Sequence, residues 1–177
     1  MKIHNGMDTE KMKWFAARTR NGQALYVRGL LEKYNVEYFI PTQFVLRERN
    51  HKRFEEEKPL ISNLVFLRTT KAKACSLANE FQVPVFYLID SATHSMMVVP
   101  DKQMNDFMQV LDLSPESLCL SELPFKVGCK VMVVKGEFSG IEGEMLGMAT
   151  RTYVIVRVGS LLAAKVKVPK AFLVVKE

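Results

Sequence analysis

The chain has 177 residues, of which 48% are hydrophobic, so it can bury a core in one large domain or two small ones and is too apolar to be disordered. Its formal net charge of +6 permits binding to nucleic-acid phosphates but does not require it, because many solvated surfaces are equally basic. No apolar run is long enough to span a membrane and no cleavable leader is evident, so we expect a cytoplasmic protein.

The first predicted elements are a strand and an amphipathic helix. Lys13–Thr19 (KWFAART) has the composition of a strand, and Asn21–Gly22 ends it. Gly29 lies inside the following helix, where glycine costs ~1 kcal/mol relative to alanine, a cost that close packing at this position would explain. Four apolar residues recur at the spacing of one buried helical stripe: Val27, Leu30, Leu31 and Tyr34.

The next segment alternates between extended and charged stretches. Glu37–Ile40 and Gln43–Arg49 are predicted to be extended, with Pro41 between them. Residues 47–58 (RERNHKRFEEEK) form the most charged stretch of the chain and indicate a mobile surface hairpin or loop. Leu60–Arg68 (LISNLVFLR) is apolar enough to predict a buried strand.

Two more helices and two short strands follow. Lys71–Phe81 has apolar residues at helical spacing, and Val85–Ile89 and Met96–Val99 are predicted strands. Asp101 is a candidate N-cap of the third helix. This mixture of strands and helices predicts an α+β domain. The apolar face of the third helix consists of Met104, Phe107, Met108 and Leu111.

The C-terminal part is predicted to be all-β. Residues 114–124 (SPESLCLSELP) carry two prolines and three serines and indicate a linker. Val131–Val134 is rich in β-branched residues, and Gly136, Gly140 and Gly143 follow it closely, as in a tight loop between two strands. Further short strands separated by turn residues are typical of a small β-barrel, and they cover residues 144–148, 153–158, 161–168 and 172–175.

The glycine-rich block at residues 125–148 resembles the KOW motif of transcription elongation factors and some ribosomal proteins, with Gly140 as the central glycine. Over nearly its whole length the sequence resembles the NusG family of bacterial transcription elongation factors. Two more blocks carry this resemblance, residues 13–23 (KWFAARTRNGQ) and Phe39–Thr42 (FIPT), which is similar to the family's "VPT" turn. Residues 20–23 and 60–67 are closest to the specialised RfaH- and UpxY-like paralogues, which include antiterminators of surface polysaccharide operons.

The resemblance implies two domains and a set of partners. Residues 11–113 would form an NGN domain with an antiparallel sheet flanked by helices, residues 114–124 a linker, and residues 125–177 an SH3-like KOW barrel. The NGN domain would bind the clamp helices of the largest RNA polymerase subunit, bridge to the gate loop and raise processivity. The barrel would recruit Rho or a ribosomal protein. The implied protein is an elongation or antitermination factor for particular operons, with no catalytic residues, no cofactor and no metal.

Carried over residue by residue, the resemblance assigns four sets of residues. Contacts to the polymerase clamp would come from Phe15, Pro41, Thr42, Leu60, Ile61, Asn63 and Leu64. At residues 61–64, aliphatic Ile61 and Leu64 stand at the family's usual aromatic positions and Ser62 at the usual proline. The gate-loop contact would fall at Cys75 and Ser76, without the polar triplet of the RfaH branch. Contacts to non-template DNA or nascent RNA would come from Arg18, Arg20 and Lys33. The KOW residues would be Gly128, Val131, Val133, Gly136, Phe138, Gly140 and Gly143.

The sequence also bears on two other classes of function. An enzyme needs a nucleophile with a base, paired carboxylates or a metal cluster, but His4, His51 and His94 are far apart and the three cysteines form no CxxC pair. The alternative is an RNA- or ribosome-binding KOW protein that does not contact polymerase, against which the Trp14 and Pro41–Thr42 blocks argue. Its basic surface would consist of Lys126, Lys130, Lys135, Lys165, Lys167 and Lys170.

The C-terminal tail is also predicted to be a sheet in the free protein. In some specialised paralogues the C-terminal domain is refolded as a helical hairpin until DNA releases it. β-Branched residues favour strands over helices, so we expect no such refolding here. The residues that support this expectation are Val154, Ile155, Val156 and Val158.

Overall fold

A computed structural model describes residues 11–114, 118–119, 128–148 and 151–176. The chain divides into two compact units, Met1–Ile40 with Ser62–Met97 and Pro41–Ile61 with Val98–Glu177. Residues 115–117 and 120–124 of the predicted linker, and residues 125–127 of the glycine-rich block, lie outside the described residues.

The described residues form short strands and three α-helices, an α+β composition as predicted. In chain order the elements are β1 (Lys13–Thr19), α1 (Ala24–Lys33), β2 (Glu37–Phe39), β3 (Thr42–Arg49), β4 (Lys52–Pro59), β5 (Leu64–Thr69), α2 (Lys71–Asn79), β6 (Val85–Tyr87), β7 (Val98–Val99), α3 (Asp101–Leu113), β8 (Leu118–Cys119), β9 (Lys130–Val133), β10 (Glu142–Met148), β11 (Arg151–Val158), β12 (Leu162–Lys167) and β13 (Leu173–Val175). None of the helices within the described ranges has the length and apolar character needed to span a membrane.

The first unit is built around the antiparallel pairing of β1 with β5. Their register places Phe15 opposite Leu67 and Ala17 opposite Val65. β2 pairs with β5 and β6 pairs with β1, which gives the strand order β2-β5-β1-β6. Residues 14–17 and 64–67 are all buried, because central strands of a sheet bury side chains on both faces.

The helix α1 supplies the predicted apolar stripe to this core. Val27 and Leu31 are fully buried and belong to the same cluster as Val65, while Leu30 and Tyr34 pack against the cluster from its edge. The predicted stripe is therefore confirmed. It forms because residues three and four positions apart lie on the same side of a helix.

Several predicted element boundaries were wrong. The strand predicted to begin at Leu60 begins at Leu64, because Asn63 has a φ of 65° and this left-handed conformation cannot continue a strand. Asp101 is the first residue of α3 rather than its N-cap, which is Pro100. The second helix ends at Asn79, two residues before the predicted end.

In the second unit, β3 and β4 form a two-stranded hairpin where the charged stretch predicted a hairpin or loop. The strands pair from Thr42 opposite Pro59 to Arg49 opposite Lys52. The two connecting residues, Asn50 and His51, have φ angles of 52° and 59°. Two consecutive left-handed residues are the geometry of a tight turn whose twist matches that of the flanking strands.

The second unit also contains a six-stranded antiparallel sheet in the order β13-β9-β10-β11-β12-β8. β11 is a strand throughout, and its residues 154–156 and 158 are buried, which confirms the predicted strand. Leu118–Cys119, within the predicted linker, pairs with β12. β13 and β8 lie at the two ends of this order, so a closed barrel is not shown by the described residues.

Within the second unit, α3 packs against β11 and β12 and is joined to the sheet by polar contacts. The buried Asp106 carboxylate accepts hydrogen bonds from the Lys102 ammonium group and, at 3.1 Å, from the backbone N–H of Glu142. The same Lys102 donates to the carbonyl of Gly140 at 2.8 Å. The charge of Asp106 is thus neutralised by one cation, and each of its oxygens has a donor, as a buried carboxylate requires.

Close packing does not explain Gly29, because a Cβ placed on this exposed helical residue would have no atom within 4 Å apart from its chain neighbours and its own helix backbone. We therefore expect Gly29→Ala to raise the free energy of unfolding by about 1 kcal/mol, because alanine has the higher helix propensity. Denaturant unfolding followed by circular dichroism measures this change.

Gly22→Ala is the matched control for Gly29→Ala. A Cβ at Gly22 would also meet open space, but its φ of 71° is left-handed, so alanine there should lower the free energy of unfolding by about 1 kcal/mol. Equal effects of the two substitutions would contradict the assignment of the gain at Gly29 to helix propensity.

Candidate functional site

Two of the predicted polymerase contacts are core residues. Phe15 and Leu64 are only 2% and 4% exposed. The Phe15 ring packs edge-on against the ring of Tyr87, with 6.1 Å between the ring centroids. These two side chains can pack beneath a binding surface, but almost none of their own surface area is accessible to a partner.

Asn63 ties the start of β5 to the turn that follows β1. Its side-chain amide donates to Asn21 Oδ1 at 2.7 Å, and its Oδ1 accepts from the backbone N–H of Gly22 at 3.2 Å. Its carbonyl accepts from the N–H of Thr19 at 2.8 Å. Asparagine is among the few residues that adopt a positive φ readily, which suits it to this position. Asn63 thus has a structural role in the first unit whatever it contacts.

Four other predicted polymerase contacts meet at the base of the β3–β4 hairpin in the second unit. The N–H of Leu60 donates to the carbonyl of Pro41 at 2.8 Å, which closes the hairpin one residue beyond the Thr42–Pro59 pair. Pro41 is buried, whereas Thr42, Leu60 and Ile61 are partly exposed. The exposed surface at this base is therefore polar at Thr42 and aliphatic at Leu60 and Ile61.

Two of the three predicted nucleic-acid contacts lie together at the end of β1. Arg18 and Arg20 are two residues apart and both exposed. Lys33 is the last residue of α1, and a helix of this length separates it from the start of α1 by about 15 Å. Its ammonium group lies over the ring of Tyr34, at 5.5 Å from the centroid. Lys33 is thus not in the same cluster as the two arginines.

Phe86 is a candidate residue that the sequence analysis missed. It lies directly opposite Arg18 in the β1–β6 pairing and is 54% exposed. Directly opposite residues of an antiparallel pair share a face and have Cβ atoms about 5 Å apart. The sequence offers only a short apolar strand here, Val85–Tyr87, which shows neither that Phe86 is exposed nor that it pairs with Arg18.

The predicted gate-loop residues, Cys75 and Ser76, lie on α2. Cys75 is an exposed free thiol, and Ser76 Oγ donates to Glu80 Oε1 at 3.2 Å. Burial raises the pKa of the Tyr87 phenol above its ordinary value, and Cys75 adds a smaller contribution in the same direction. Of these two side chains, that of Cys75 is the more exposed to a partner.

The glycine-rich segment of the second unit is held in shape by its predicted KOW residues. Val131, Val133 and Phe138 are buried, and Gly136 and Gly140 have φ angles of 84° and 91°. A Cβ on Gly128 would lie 2.6 Å from the carbonyl oxygen of Met145, and one on Gly143 would lie 2.5 Å from that of Ile155. The motif residues therefore serve the packing and turning of this sheet.

Metal-ligand clusters and cavities were the remaining candidates for a site among the described residues. They contain no group of three or more His, Cys, Asp or Glu side chains that could hold a metal ion. A cavity of about 370 Å³ lies beside α3 in the second unit. Most charges that line it are already paired, as in Arg157 with Glu144 at 3.0 Å and Lys176 with Glu142 at 2.7 Å.

Comparison with known proteins identifies one family. A family model described as "Transcription termination factor nusG" matches residues 12–108, which is more than half of the chain. A solved structure entitled "Domain interaction in Thermotoga maritima NusG" is similar, with 18% sequence identity, a TM-score of 0.48, and coverage of 94% of this chain and 98% of that chain. None of the curated proteins compared with this sequence matches it.

Gly143→Ala should destabilise the second unit, because its new methyl group would overlap a backbone carbonyl that cannot move without breaking the β10–β11 pairing. We expect a loss of about 1–3 kcal/mol in the free energy of unfolding, the range for overpacked sites. Thermal and denaturant unfolding of the purified variant measure it.

Gly147→Ala on the same strand is the control, since a Cβ there would have no atom within 4 Å. It should leave the free energy of unfolding nearly unchanged. A Gly143→Ala variant as stable as the Gly147→Ala variant would show that the close approach to Ile155 is not a constraint.

Proposed function

The chain belongs to the family of the transcription termination factor NusG, and from this premise we propose that it is a transcription elongation or antitermination factor that binds RNA polymerase. The observation that carries the proposal is the family match over residues 12–108, because that range contains every residue assigned to a polymerase or nucleic-acid contact. The proposed contact is with the clamp helices of the largest polymerase subunit, and the proposed effect is higher processivity.

The proposed polymerase surface includes the exposed part of the hairpin base, Thr42, Leu60 and Ile61. Partly exposed aliphatic side chains beside a polar one suit an interface with an apolar centre and a polar rim. Pro41 lies buried in the same unit as this surface, whereas Asn63 belongs to the first unit and is proposed as a separate contact. A gate-loop contact through the exposed Cys75 on α2 is part of the same proposal.

The proposed nucleic-acid surface consists of Arg18, Arg20 and Phe86. Two exposed guanidinium groups can neutralise phosphates, and an exposed aromatic ring beside them can stack on an unpaired base of non-template DNA or nascent RNA. Lys33, at the far end of α1, is left out of this surface. The two arginines were predicted from the sequence alone, and the pairing of β1 with β6 supports adding the ring of Phe86 to this surface.

The C-terminal part is proposed to act as a KOW barrel that recruits a second protein such as Rho or a ribosomal protein. Its six-stranded antiparallel sheet and its glycine-dependent turn support this proposal. The same proposal places the two domains at residues 11–113 and 125–177. It also has the protein act on particular operons, as the RfaH- and UpxY-like paralogues do.

The polymerase contact is tested by capture of purified RNA polymerase on the immobilised full-length chain. Ile61→Asp and Leu60→Asp should each weaken binding at least tenfold, because a charge would be desolvated in the interface. Leu64 is unsuitable for this test, since an aspartate at a buried position would report on stability. Val175→Asp is the matched control, because Val175 is an exposed aliphatic residue in β13.

Three results would change the proposal. Failure of the folded wild-type chain to bind polymerase would contradict the proposed polymerase contact and favour the RNA- or ribosome-binding alternative. Full binding by both hairpin-base variants would show that polymerase binds a different surface of the chain. Equal weakening by Val175→Asp would show that the effect is not specific to the hairpin base. Circular dichroism of each variant verifies that it is folded.

The nucleic-acid surface is tested by comparing affinity for polymerase alone with affinity for polymerase on a nucleic-acid scaffold with an open bubble. Phe86→Ala should reduce only the second affinity, by about fivefold or more, since one base–aromatic stack is worth ~1–3 kcal/mol. Arg18→Gln should act in the same direction. Tyr26→Ala, an exposed aromatic residue on α1, is the control, and an equal loss in that variant would contradict the proposal.

A further inference from the structure

The β3–β4 hairpin sorts its charges onto two opposite faces. Because side chains alternate along each strand and directly opposite residues share a face, the register assigns every residue to one side. One side, here called the basic face, carries four cations and one carboxylate: Arg47, Arg49, Lys52, Lys58 and Glu56. The other, the acidic face, carries three carboxylates and one cation: Glu48, Glu55, Glu57 and Arg53.

The ion pairs of the hairpin follow the same division. On the basic face, Glu56 accepts from Arg47 Nε at 3.0 Å and lies 3.8 Å from the ammonium group of Lys58. On the acidic face, Glu48 lies 3.6 Å from Arg53 Nε. The single carboxylate of the basic face is thus shared by the two cations nearer the base of the hairpin. Its positive charge is therefore concentrated towards the tip.

At that tip, Arg49 and Lys52 lie directly opposite each other beside the two-residue turn. Both are exposed, and they belong to no salt bridge found among the described residues of the hairpin. Their charges are exposed to solvent at the tip of the hairpin, where a polyanion can approach the basic face without meeting the carboxylates of the acidic face.

The basic face also presents an aromatic ring. Phe54 lies directly opposite Arg47, two residues from Lys52, and is 45% exposed. Neighbours two apart on a strand are about 7 Å apart, so the ring and the tip cations can be reached by adjacent nucleotides of one strand. Exposed aromatic residues interleaved with cations are the arrangement by which proteins bind single strands, with bases stacked on rings and phosphates neutralised by Lys and Arg.

From this arrangement we propose that the basic face of the β3–β4 hairpin is a binding surface for single-stranded nucleic acid. Phe54 stacks on an unpaired base, and Arg49 and Lys52 neutralise the flanking phosphates. A duplex would use only the cations, because its bases are stacked on one another and cannot reach the ring. This surface is separate from Arg18, Arg20 and Phe86, and its binding needs no polymerase, so its failure and that of the proposed function are distinguishable.

The hairpin itself contains the controls. Phe44 lies on the acidic face and is 69% exposed, so Phe44→Ala removes a ring of the same type from the same hairpin. Arg53→Gln likewise removes a cation from the acidic face. The test uses fluorescence anisotropy of the full chain with a labelled single strand of about 15 nucleotides, with the duplex of the same sequence, and with polyglutamate as a competitor.

We expect Phe54→Ala to weaken single-strand binding about fivefold or more and to leave duplex binding unchanged. The double variant Arg49→Gln, Lys52→Gln should reduce the slope of log affinity against log salt by about 1.4, which corresponds to two phosphate contacts on a single strand. Phe44→Ala and Arg53→Gln should leave both quantities unchanged. Polyglutamate should compete weakly, because it offers charge without bases.

Four results would overturn the proposal. One is equal affinity for single strand and duplex together with no effect of Phe54→Ala, which would leave a contact to phosphates alone. A second is equal weakening by Phe44→Ala and Phe54→Ala. A third is full displacement of the single strand by polyglutamate of matched charge, which would indicate a surface for an acidic protein segment. The fourth is no binding of the single strand by the folded wild-type chain.

Discussion

The pairing of β1 with β5 is the constraint on which the first unit depends. Both strands are central, so residues such as Phe15, Phe66 and Leu67 lose nearly all contact with water, and each large apolar side chain buried in this way contributes about 1.5–3 kcal/mol. The pairing also determines what lies at its end. It brings Asn63 to the turn after β1, and β6 then places Phe86 against Arg18.

A comparable constraint operates in the hairpin of the second unit, where the turn sets the register. Asn50 and His51 connect the strands with two left-handed residues, and every cross-strand pair follows from that connection. A slip of one residue in either strand would move its side chains to the other face and mix the charges. The separation of basic and acidic faces therefore depends on the geometry of this turn.

The six-stranded sheet of the same unit depends on close contact between the backbones of neighbouring segments. Gly128 and Gly143 lie where a Cβ would meet a carbonyl oxygen at 2.6 and 2.5 Å, so any larger residue at these positions would force the backbone to shift. Asp106 then joins α3 to the strand β10 through the N–H of Glu142. Structural requirements of this kind account for the glycine pattern of the segment without a ligand, and they explain why a motif can be recognised there before its partner is known.

The sequence by itself determined the elements whose signal is local. It predicted the strand at Lys13–Thr19, the buried stripe of α1 and the β-branched strand β11, because periodicity and propensity act over a few residues. The tertiary structure alone decided which distant residues meet, such as Phe86 with Arg18, and that Phe15 and Leu64 are buried while Gly29 faces open space. Strand pairing and burial depend on contacts between residues far apart in the chain, and no local pattern contains that information.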